Sequence, residues 1–86
     1  MYIKQETMRE DTLLMLTKTI RELLDRYAHG DMKVHYIEQS GHLRVEGIER
    51  FDGFLIPDLL KNKIAIKYAR VNKGTSQITM GLVHKP

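Results

Sequence analysis

Residues 7–30 read TMREDTLLMLTKTIRELLDRYAHG, and this stretch decides the fold. Leu13, Leu16, Ile20, Leu23 and Tyr27 recur at steps of three and four. That spacing places them on one stripe of an α-helix, because a turn takes 3.6 residues. Met8, Leu24 and Ala28 widen the stripe, while Lys18, Arg21, Glu22, Asp25 and Arg26 fall on the remaining surface. Thr7 and Glu10 have capping-box spacing, and Glu10 and Asp11 suit the electropositive first turn. Gly30 stands where a left-handed residue closes a helix. The stripe covers about two heptads, short of the three or four that mark a coiled coil. The expectation is therefore one helix over residues 7–30, lying on a sheet. Leu14 and Met15 fall off the main stripe and are left for a second contact.

A helix with one apolar face needs a second layer, and the chain downstream supplies strands. Residues 32–39 and 42–50 alternate apolar and polar around Ser40-Gly41. A two-residue turn there pairs Gln39 with His42, Ile37 with Arg44, Tyr36 with Val45 and His35 with Glu46. This gathers Met32, Val34, Tyr36, Leu43 and Val45 beneath the helix. Residues 63–71 and 75–84 form a second hairpin, with Asn72-Lys73-Gly74 as a three-residue loop closed by glycine. Its pairs are Tyr68–Ile78, Ile66–Met80 and Ile64–Leu82, all directed to the helix. Residues 51–62 cross between the hairpins. Pro57 opens a short helical turn, or Phe54 to Ile56 form a brief strand; both readings stand. Residues 1–5, with Tyr2 and Ile3, either add an edge strand or fray.

Composition bounds the class. Eighty-six residues make one domain, and 42% hydrophobic content supports a folded core. The chain has no cysteine, which removes disulfide and thiolate chemistry. No apolar run reaches membrane-spanning length and no signal-peptide pattern opens the sequence, so a cytoplasmic protein is expected. The net charge of +3 is uneven: residues 1–50 carry eight Lys/Arg against nine Asp/Glu, whereas residues 51–86 carry six against two.

Catalytic signatures are not evident. His29, His35, His42 and His84 lack zinc-ligand spacing. His35 facing Glu46 has the composition of a general-base dyad, but an ordinary cross-strand pair explains it as well. His42 at a turn and His84 near the terminus demand no role. Asp52 and Asp58 are the other paired carboxylates, with nothing to bring them together. No cofactor, no metal and no enzymatic activity are expected.

The sheet face turned away from the helix is the most informative surface. It is expected to show Lys33, His35, Arg44, Glu46, Lys63 and Lys67 beside Ala65, Ala69, Gln77, Thr79 and Gly81. Ile37, Ile48, Val71 and Val83 fall there too. Tyr36 and Tyr68 are assigned to the helix side, which leaves this face without an aromatic and weakens a single-strand nucleic-acid reading. Scattered aliphatics on an open face favour a second protein layer. The rival, nucleic-acid binding, would use Lys33, Arg44, Lys63, Lys67 and Arg70. Arg70 falls on the helix side of this register, but near a strand end.

Residues 33–54, KVHYIEQSGHLRVEGIERFDGF, resemble the first motif of Sm-like RNA-binding proteins through Gly41, Gly47, Ile48, Phe51 and Asp52. The resemblance covers about a quarter of the chain. It implies an N-terminal helix followed by a strongly bent five-stranded barrel, ring assembly and RNA as ligand. The second motif of that family is not evident at Asn72-Lys73-Gly74.

The resulting expectation is a single α+β domain over residues 1–86, with an N-terminal amphipathic helix packed on a four-stranded antiparallel sheet made of two hairpins. A small Sm- or SH3-like barrel with an N-terminal helix is the alternative. Its expected role is a non-catalytic regulator or adaptor working through protein contacts and self-association, with a dimer as the simplest state. Nucleic-acid binding is the alternative role.

Overall fold

A computed structural model describes residues 10–85. The expected capping residue Thr7, Met8 of the stripe and the strand reading of residues 1–5 lie outside the described residues. Helix α1 spans Glu10–Tyr27 and buries Leu16, Ile20, Leu23 and Leu24, with Leu13 and Tyr27 half-buried. The three-four stripe therefore faces the core as its spacing requires.

The helix stops before Gly30 because the chain is captured by a small ladder. Ala28–His29 (β1) pairs antiparallel with Arg50–Phe51 (β4). The amides of Glu49 and Asp52 donate to the carbonyls of His29 and Tyr27 at 2.8 and 2.6 Å. Gly30 is thus not a helix cap. It has φ +139° and passes against Gly47, which has φ +85°. A β-carbon on either would fall under 3.0 Å from backbone of the other's segment. Two glycines are needed where two backbones cross this closely.

The main sheet is made of Lys33–Ile37 (β2), His42–Ile48 (β3), Ile64–Val71 (β5) and Ile78–His84 (β6). Its order is β2-β3-β6-β5, antiparallel throughout. The sheet is not closed into a barrel, so the barrel implied by the Sm-like resemblance is overturned. The α+β arrangement of helix on two hairpins holds.

Both hairpin registers and the face of Ile48 differ from the sequence expectation. In the first hairpin Val34 pairs with Val45, His35 with Arg44, Tyr36 with Leu43 and Ile37 with His42. This is a slip of two residues, which keeps every side chain on its expected face. The connection is the four-residue stretch 38–41, in which Gly41 (φ +67°) donates to the Ile37 carbonyl at 2.8 Å.

In β3 an irregularity between Val45 and Ile48 turns Ile48 inward, fully buried opposite Ile78. In β5 a second one between Ile66 and Tyr68 makes Lys67 the extra residue. Beyond it Tyr68 pairs with Gly81, Ala69 with Met80, Arg70 with Thr79 and Val71 with Ile78. Tyr68 and Arg70 therefore move to the open face, and Ala69 and Val71 to the helix side. The second hairpin's loop is residues 72–77, not three residues, and the left-handed residue in it is Ser76 (φ +59°).

Residues 55–61 settle as helix α2, Leu55–Lys61. Asp52 starts it by accepting the Phe54 amide on Oδ1 at 2.9 Å and the Leu55 amide on its carbonyl at 3.0 Å. Pro57 lies in the first turn, where its missing N–H leaves no bond unmade. Leu55 and Leu59 enter the core, and α2 packs against α1 and β5. The helical layer thus contains two helices. Among the described residues, no helix is long and apolar enough to cross a membrane.

Candidate functional site

The four strands line up one continuous row across the open face: His35, Arg44, Gly81 and Tyr68, each paired with the next. Lys33, paired with Glu46, and Arg70, paired with Thr79, flank this row. Gly81 carries no side chain, and the Tyr68 ring fills the gap by lying across it. The ring spans β6, so its hydroxyl comes 3.0 Å from Nε2 of His42 on β3. The two rings meet edge to face, with centroids 5.3 Å apart. Nδ1 of the same imidazole meets Ser40 Oγ. In the neutral ring one nitrogen donates and the other accepts, so both hydroxyls are satisfied.

His42 is buried beneath this arrangement. Burial pushes its pKa below the ordinary histidine value, and the Lys67 and Arg44 cations push it the same way. The Arg70 guanidinium carbon sits 5.2 Å from the Tyr68 ring centroid, within cation–π range. Arg44 Nε lies 3.3 Å from Glu46 Oε1, though without the alignment of a hydrogen bond.

Of the residues expected to form a basic face, Lys33, Arg44, Lys67 and Arg70 do share the sheet. Lys63 does not. It occupies the turn between α2 and β5 with φ +62°, and its carbonyl accepts the Lys85 amide at 2.7 Å. His35 Nε2 approaches Glu46 Oε2 at 3.2 Å, diagonally and not as a direct pair, with both side chains 43% exposed. That is an open surface pair, without the enclosure that acid–base chemistry draws on. Asp52 and Asp58 take separate structural tasks: Asp52 starts α2, and Asp58 Oδ2 accepts the Tyr27 hydroxyl at 2.6 Å. No metal-holding group of three or more His, Cys, Asp or Glu occurs among the described residues.

Sequence reasoning missed Tyr68 and His42. The signal for Tyr68 was Gly81, since a strand glycine is often covered by an aromatic on the adjacent strand.

The second surface is the outside of the helical layer. Leu14, Met15, Phe54, Ile56 and Leu60 stand exposed there, Leu14 and Met15 at 66% each. A groove of about 150 Å³ lies beside Met15, between α1 and the Asn62–Ile64 turn, and another of about 180 Å³ lies between Arg21 and Val34. Both are well below the roughly 300–1,000 Å³ of small-molecule sites. No protein family, curated protein or solved structure matches this chain.

Proposed function

We infer that this domain is a small non-catalytic binding module, a regulator or adaptor acting through protein contacts, with a second copy of itself as the first partner. The observation that carries this reading is the apolar exterior of the helical layer. Leu14, Met15, Phe54, Ile56 and Leu60 are large apolar side chains left exposed on the two helices and the turn before α2, and exposed apolar surface of this kind marks a contact face. Burying such a side chain in an interface removes apolar area worth about 25 cal/mol per Å². The core does not require them, because Leu16, Ile20, Leu55 and Leu59 already fill it from the same two helices. The non-catalytic part draws support from the openness of the His35–Glu46 pair and the small size of the grooves.

Light scattering on a sizing column tests the reading. A dimer is expected for the unaltered chain, and a monomer for Leu14→Glu combined with Leu60→Glu, with the circular dichroism spectrum unchanged. A monomer at every concentration of the unaltered chain rules out self-association and leaves a different protein as the partner of this surface.

A further inference from the structure

We propose that the open face of the sheet binds single-stranded nucleic acid, with a base stacked on Tyr68 and backbone phosphates held by Arg70, Lys67 and Arg44. This goes beyond the protein contacts assigned to the helical layer and uses the opposite side of the molecule.

The bulge at Lys67 decides which face of the sheet carries the aromatic. Without it, β5 would send Tyr68 inward with Ile64 and Ile66. The extra residue sends Tyr68 and Arg70 outward together. Gly81 leaves room for the ring, and His42 holds its hydroxyl. Tyr68 is half-buried with the Arg70 guanidinium over its ring, so a base stacks in the place Arg70 holds as that cation turns to a phosphate. Base stacking on such a platform needs no particular base, because every base has a π-face.

The cations stand where a strand crossing that ring would put its phosphates. Arg70 already rests by the ring at 5.2 Å, Lys67 precedes Tyr68 at the bulge, and Arg44 lies in the same cross-strand row. Arg70 and Lys67 are exposed, and among the described residues neither has an ion-pair partner. Among the described residues, Glu46 is the one carboxylate on these strands' open face, and it sits toward the β2 edge beside His35 and Arg44. A stacked base has to be unpaired, so the ligand is a single strand and not a duplex. The face is also the wrong chemistry for the apolar contact inferred above, since its large aliphatics, Ile37 and Val83, are half-buried among charged and polar neighbours.

The bland account is that Tyr68 merely repairs the hole at Gly81 and Arg70 merely covers Tyr68. Fluorescence anisotropy with labelled oligo(dT) and oligo(U) separates the two. Binding is expected to weaken with salt at a log–log slope of about −2, from three contacts at about 0.7 each on a single strand. Arg70→Glu and Lys67→Glu are expected to weaken binding by roughly tenfold or more each and to flatten that slope. Tyr68→Leu keeps Gly81 covered and should lose roughly tenfold, whereas Tyr68→Phe keeps the stack and should bind as the unaltered chain does. Circular dichroism confirms that each variant is folded. Oligo(dT) and oligo(U) binding alike is expected; a preference for one identifies which strand the face serves. The proposal is overturned if neither oligonucleotide binds at low salt, if Tyr68→Leu binds normally, or if duplex competes as well as single strand. It also fails if the charge reversals change only the solution mass, which would make this face a protein contact. Leu14→Glu should leave oligonucleotide binding intact, so loss of self-association and loss of this site are told apart.

Discussion

The ring of Tyr68 occupies the space that a side chain on Gly81 would fill. A β-carbon built on Gly81 falls under 3.0 Å from three atoms of that ring. Gly81→Ala should therefore displace the ring, break its contact with His42 and cost about 1–3 kcal/mol by overpacking. Urea unfolding measures the loss. Because the obstruction is a side chain, Gly81→Ala should cost much less in a Tyr68→Ala background. A double-mutant cycle with no coupling would show that the ring does not rest on Gly81.

The glycines at the chain crossing behave differently, since what they meet is backbone. A side chain on Gly30 meets the Gly47 carbonyl, and one on Gly47 meets the Asp31 carbonyl. No rotamer change relieves either clash. Gly30→Ala and Gly47→Ala should each destabilise beyond the usual ceiling of about 3 kcal/mol for a point substitution, or prevent folding. Gly41 has φ +67° with open space around it, so Gly41→Ala should cost only about 1–2 kcal/mol, the penalty of the left-handed conformation alone. Thermal midpoints of the three variants should fall in that order, and equal losses would remove the steric distinction.

These glycines also mark where the sequence could and could not be read. The α1 stripe was legible because 3.6-residue periodicity persists over several turns, and Leu16, Ile20 and Leu23 are buried as it requires. The faces of the first hairpin were legible although its partners were not, because a slip of two preserves the alternation. The bulges were not legible. One extra residue inverts every side chain after it, yet Ile64, Ile66 and Tyr68 continue an unbroken alternation past Lys67. That is why the alternation puts Ile48 outside and Tyr68 inside, each on the wrong face. Four members of the basic set, Lys33, Arg44, Lys67 and Arg70, share that sheet, whereas the only sequence signal for the aromatic among them is the strand glycine, Gly81.

Tyr27 ties the two helices together at their adjoining ends. Its hydroxyl donates to Asp58, and its ring lies 6.5 Å from that of Phe54. The hydrogen bond to Asp58 raises the phenol pKa above 10.0, against a smaller opposite pull from Arg26. An unfolded chain loses this proton near 10.0, while the folded chain still holds it. The contribution to stability is thus complete below that pH and disappears as pH climbs through the folded value. Ultraviolet titration should show one late-titrating tyrosine, and Asp58→Asn should bring it back toward the ordinary value. If Asp58→Asn leaves that titration unmoved, the late tyrosine is not Tyr27 bound to Asp58.

His42 predicts the opposite end of the pH scale. Its burial under Tyr68 lowers its pKa, with Lys67 and Arg44 adding to the effect, so the folded chain resists taking up the proton. An unfolded histidine protonates near 6.5. Above that pH both states hold a neutral ring and stability is independent of His42. As pH falls below it, the unfolded chain gains a proton that the folded chain refuses, and stability declines until the folded value is passed. Urea midpoints measured at successive pH values should therefore drop on the acid side. Lys67→Gln removes one of the two cations without touching the ring. It should raise the imidazole midpoint seen by NMR and move the stability loss with it. An imidazole midpoint at or above 6.5 in the unaltered chain would mean that the cations and the burial do not act on His42 as the arrangement requires.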